Sequence, residues 1–106
     1  MQSDEELYQQ VMRDAREDIF LVAVRLAIDT RRIKVDFDPG RGPGPHELHT
    51  LSISAPEIAD LAVTKEDIPH DWLPVSTGFI DTRFSRLVAA LLGELTNKAQ
   101  RAGVFL

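Results

Sequence analysis

Apolar residues recur at Leu7, Val11, Ala15, Ile19, Val22 and Leu26, spaced by three or four positions. A helix turns once in about 3.6 residues, so this spacing draws a single apolar stripe along one side of it. Gln10, Arg13, Asp14, Glu17 and Asp18 fall between the stripe positions and read as a solvated face. Ser3 followed by Glu6 has the reciprocal capping pattern, and Asp4, Glu5 and Glu6 put negative charge at the positive end of the helix dipole.

From residue 19 to 28 nearly every position is apolar, and two patterns compete. Phe20, Val22, Val24, Leu26 and Ile28 alternate with Leu21, Ala23, Arg25 and Ala27, as in a buried strand. Against that, no Gly or Pro interrupts residues 12–31, and Ala15, Ala23, Leu26 and Ala27 favour helix. The expectation is one helix from residue 4 to about 30, closed by Arg31 and Arg32 near its negative end. The alternative breaks near Asp18, starts a strand and turns at residues 29–32.

Ile33, Val35 and Phe37 alternate with Lys34, Asp36 and Asp38, the pattern of a half-buried antiparallel strand. Residues 39–45 hold six Gly or Pro in seven and should stop it. A second strand over about 48–53 completes a hairpin, 33–38 with 48–53, with a long exposed tip. Ser54 and Glu57 repeat the capping pattern with Pro56 in the first turn, which predicts a short helix over about 55–62. Residues 64–67 suggest one further helical turn, and 68–74 an irregular segment anchored by Trp72. Asp81 can cap a last helix whose stripe is Phe84, Leu87, Val88, Leu91, Leu92, Leu95 and Ala99. Lys98 and Arg101 suit its C-terminus, and Gly103 the left-handed position that follows. The expected fold is therefore α+β: long N- and C-terminal amphipathic helices packed on a small antiparallel sheet. Ile33, Val35, Phe37, Leu51, Ile53 and Trp72 should complete the core between the two stripes.

Length and composition narrow the rest. The 106 residues fit one domain. Cysteine is absent, which excludes disulfides, thiolate metal sites and a cysteine nucleophile. The net charge is −5, from 12 basic and 17 acidic residues, so phosphate neutralisation is a poor driving force and no nucleic-acid partner is expected. The acidic start is unlike a secretory signal, and the apolar run at residues 19–24 is far short of the roughly 20 residues a membrane span needs. A soluble, cytoplasmic protein with no membrane partner is expected.

No motif names a reaction, and no catalytic residue is assigned. His46, His49 and His70 are the only imidazoles. His46 and His49 lack the four-residue helical spacing of a zinc protease and would point to opposite faces of a strand, so neither metal nor cofactor is expected. His49 shares a face with Leu51 and Ile53, where a histidine has a hydrogen-bonded structural role or, less often, borders a pocket. Arg25 lies inside the most apolar run and should snorkel or pair at the rim of the core, most simply with Asp18, Asp29 or a carboxylate from elsewhere, or else bind an anion. Arg25, His49, Trp72 and His70 are thus the ligand-binding candidates, around a pocket between sheet and helices. Arg41 and His46 sit on the hairpin tip, where partner contacts are common. Asp36 and Asp38 read as a solvated strand face, and Ser52, Ser76 and Ser85 lack a nucleophile signature.

Three function classes remain: a non-catalytic protein-interaction or regulatory domain, which leads; a ligand-binding or catalytic domain; and an acidic antagonist of the immunity or nucleic-acid-mimic type. A helix over residues 4–30 would be about 40 Å long, and it is apolar nearly all round after Ile19. With the apolar tail at residues 104–106, this asks for cover, so a homodimer and a protein partner are expected.

Overall fold

The computed structural model describes residues 4–41, 48–58, 60–69, 72–73 and 83–106, and the side chains of all of these except 4, 5, 7, 8, 11 and 38–41. Helix α1 spans Asp4–Arg25 and a 3-10 turn spans Thr30–Arg32. Strands β1 (Lys34–Arg41), β2 (Leu48–Ser54) and β3 (Ala62–Pro69) follow, and helix α2 (Arg83–Arg101) comes last. Two helices and an antiparallel sheet make this the α+β class that the periodicities imply. Ser3, Asp81 and the tip at 42–47 lie outside the described residues.

The stripe of α1 holds through its second half: Ala15, Ile19 and Val22 are buried, together with Met12 and Ala23. It fails at Leu26, because the helix ends at Arg25 rather than near Thr30. The Ile28 N–H donates to the Ala23 carbonyl (2.9 Å) and the Ala27 N–H to the Val24 carbonyl (3.0 Å), which satisfies two orphan carbonyls of the last turn. Ala27 itself takes φ 58°, left-handed. The residue gained by this turn is Ile28, which enters the core. The strand alternative for 19–28 is excluded, since helix runs unbroken past Asp18. Helix α2 closes identically: Val104 donates to Ala99, Gly103 to Gln100, and Gly103 takes φ 81° at the expected position.

The sheet order is β1-β2-β3, each neighbour antiparallel. Val35 faces Ile53 and Phe37 faces Leu51 across the first ladder. Strand β1 continues to Arg41, past Pro39 and Gly40, by means of a one-residue register shift between Asp38 and Arg41. Such a bulge accommodates a proline that cannot donate to a ladder.

Strand β3 replaces two expectations. The short helix over 55–62 does not form. The chain makes a compact turn instead, with Ile58 N–H donating to the Ala55 carbonyl and Ala55 N–H to the Leu61 carbonyl. Asp60 sits at φ 64° in this turn, a conformation aspartate tolerates better than most residues. Residues 64–67 are likewise strand, not helix. Val63 pairs with Ile53 and Ile68 with His49, and both are buried although they are five positions apart. An extra residue between Lys65 and Ile68, with Asp67 at φ 57°, restores the inward direction.

Helix α2 lies against β2 and β3, whereas α1 packs chiefly on α2 and only touches β1. The α2 stripe is buried at Phe84, Val88, Leu91, Leu92, Leu95 and Ala99, with Leu87 half-buried. These side chains meet Ile33, Phe37, Leu51, Ile53, Val63 and Ile68 in one core, with Val35 and Trp72 at its margin. The outer side of α1 therefore packs on neither α2 nor the sheet among the described elements, and Thr30 of the 3-10 turn borders it.

Candidate functional site

Of the three described candidates for a pocket, Arg25, His49 and Trp72, the last two are committed to packing. His49 is fully buried and stacks on Phe37, ring centroids 5.5 Å apart and planes 18° from parallel. Phe37 in turn meets Phe84 edge-on at 6.0 Å, which ties β1 and β2 to the first turn of α2. Trp72 is half-buried beside the buried Leu73, and the Arg83 guanidinium lies 5.6 Å from its ring centroid. That contact pins the start of α2 to the segment before it. His70 and His46 lie outside the described residues, as does the side chain of Arg41.

Arg25 is placed differently from the sequence expectation. It is exposed on the last turn of α1, where its charge suits the helix dipole. Neither expected carboxylate pairs with it. Asp29 holds Arg31 instead, through Nε at 3.1 Å and Nη2 at 3.0 Å, while also accepting from the Arg31 N–H. This arrangement lowers the Asp29 carboxyl below its ordinary range, chiefly through the side-chain hydrogen bond from Arg31.

Asp18 departs further. It is not solvated: only 1% of its surface is exposed, and its Oδ2 has no hydrogen-bond partner. It stands three residues after Ala15 and four before Val22, on the buried stripe. Loss of water raises its pKa above the ordinary aspartate value. Position on the stripe, rather than residue type, was the signal that marked it.

The outer face of α1 carries the exposed apolar surface. Phe20, Leu21 and Val24 are 37%, 44% and 63% exposed and point away from Ala15, Ile19 and Val22. With Glu17 and Thr30 they line a shallow open groove. Leu26 adds apolar surface just past the helix end. Among the described residues no three His, Asp or Glu side chains gather as metal ligands, and no helix is long and apolar enough to cross a membrane. Comparison of the chain with protein-family models, with curated proteins and with solved structures gives no match.

Proposed function

We propose that this protein is an interaction module that acts by binding rather than by catalysis, and that it docks an amphipathic helix against the outer face of α1. One observation carries the reading: three large apolar side chains, Phe20, Leu21 and Val24, project into water from one side of a helix whose other side is already buried. A helix apolar on two opposite sides gains nothing from the second one unless something covers it. The groove they form with Glu17 and Thr30 is open to solvent rather than enclosed, which suits a packed helix better than a small molecule. The competing pocket reading, near His49, Trp72 and Arg25, finds less support. His49 is stacked and covered, the Trp72 ring is engaged by Arg83, and Arg25 is exposed on α1.

A photo-crosslinking amino acid placed at Val24, in the host cell, tests the proposal against the same probe at Asn97 on the exposed side of α2. Covalent adducts at position 24 and none at 97 are expected. Equal labelling at both sites, or none at 24, would remove the docking face.

A further inference from the structure

Resting on that reading, we infer that the helix received by the outer face of α1 is α1 of a second copy, laid antiparallel across a two-fold axis at Leu21. The reason is self-complementarity. Glu17 and Arg25 stand four residues to either side of Leu21, about 6 Å along the helix in each direction, and both are exposed. In an antiparallel pair centred on Leu21, Leu21 meets its own copy on the axis, and the exposed positions four residues to either side of it meet each other. Glu17 then faces Arg25 of the second copy, and Arg25 faces its Glu17, so one axis generates two opposite-charge contacts.

Between these contacts lie Phe20, Leu21 and Val24, the apolar middle of the same face. A parallel pair would set Glu17 against Glu17 and Arg25 against Arg25, so charge selects the antiparallel arrangement. An acid-apolar-base order along one helix face is what a two-fold interface requires, because the patch must complement itself. Further toward the N-terminus the face turns polar, with Gln10 and Arg13 exposed, so the apolar contact is confined to the last two turns. The packing is helix on helix at the usual separation of about 8–10 Å, and the symmetry closes at two.

The full chain tests this directly, because it holds no cysteine and a single introduced thiol reports only on itself. Sedimentation of the unmodified protein should show a monomer–dimer equilibrium. Leu21→Cys should cross-link into a covalent dimer under diamide at concentrations where Ala90→Cys, on the exposed side of α2, does not. Glu17→Arg and Arg25→Glu should each weaken the dimer roughly tenfold, and the double exchange should restore it, with circular dichroism confirming that every variant is folded.

A monomer at every concentration, cross-linking no faster at Leu21 than at Ala90, or a double exchange no tighter than the single changes, would overturn the inference. Failure here together with adducts to another protein at Val24 leaves the docking face standing and removes only the second copy. Failure here with no adduct removes both.

Discussion

Arg32 grips Glu57 with two hydrogen bonds, Nε to Oε1 at 2.7 Å and Nη2 to Oε2 at 2.9 Å, across 25 residues of sequence. The same guanidinium also donates from Nη1 to the backbone carbonyl of Phe105. One side chain thereby joins the turn after α1, the β2–β3 connection and the C-terminal tail. Planar two-pronged geometry makes arginine suited to this, and lysine could not supply it. Glu57, expected in a capping pair, instead has its carboxylate engaged by Arg32.

Arg32→Gln should therefore loosen the tail more than it lowers global stability, since both partners are near the surface. Carboxypeptidase release of Leu106 and Phe105 should be faster in this variant than in the unmodified chain. The hydrogen bond from Arg32 lowers the Glu57 pKa below its ordinary value. The contact is then fully present above the ordinary glutamate pKa and is lost as pH falls through the lowered one. Tail release should accelerate on acidification over that window, and Glu57→Gln should remove most of the acceleration.

Asp18 has the opposite sign. Burial raises its pKa, so the folded state holds its proton more tightly than the unfolded chain does. The cost of the buried charge is complete above the raised pKa. It fades as pH falls toward the ordinary aspartate value, and is gone below it. Asp18→Asn should stabilise the protein at pH 7 by about 1–2 kcal/mol, the order of an unpaired buried polar group. Urea unfolding should show that gain shrinking as pH falls toward the ordinary aspartate value. A loss of stability at pH 7 would mean that the carboxylate is held by a favourable contact.

Ala27 and Gly103 occupy the same left-handed position at the ends of α1 and α2, at φ 58° and 81°. Alanine pays a steric penalty there that glycine does not. Ala27→Gly should therefore stabilise the chain by about 0.5–1 kcal/mol, and Gly103→Ala should destabilise it by a similar amount, both read from thermal or denaturant midpoints. Space does not decide the second change, because a Cβ at Gly103 would meet nothing within 4 Å.

Asp67 holds the bulge of β3 at φ 57°. Asp67→Val, branched at Cβ, should cost about 1–3 kcal/mol, whereas Asp67→Asn or Asp67→Gly should be nearly neutral. If valine were tolerated as well as asparagine, the inward turn of Ile68 would not depend on that conformation.

The parts of this fold that could be read from the chain are those where one period persists. The α2 stripe from Phe84 to Ala99 is buried apart from the half-buried Leu87, and the Ile33–Phe37 alternation puts Ile33 and Phe37 in the core with Val35 half-buried. The failures have a common cause, a local backbone change that resets the period. Strand β3 escaped because Val63 and Ile68 differ by an odd number, so the bulge hides the alternation that would have announced it. The end of α1 escaped because its left-handed residue is Ala27 where glycine is the usual signal, and only the burial of Ile28 explains the turn.

At the candidate site, the apolar excess after Ile19 was evident, but which residues stay outside was not. That depends on α1 packing on α2 rather than lying flat on the sheet. Asp18 was assigned by its charge although its place on the helix was inward.

A three-stranded sheet leaves two borders, here β1 and β3. Each is irregular: β1 slips register between Asp38 and Arg41, with Pro39 between them, and β3 swells between Lys65 and Ile68, with Lys65, Glu66 and Asp67 exposed beside the swelling. A foreign strand attaches best to a long, straight row of amides and carbonyls, and each border is straight only over a short stretch, 34–38 in β1 and 62–65 in β3. Strand-on-strand growth is thereby disfavoured at both borders, and a crowded solution of the folded protein should stay clear of amyloid, read by thioflavin fluorescence.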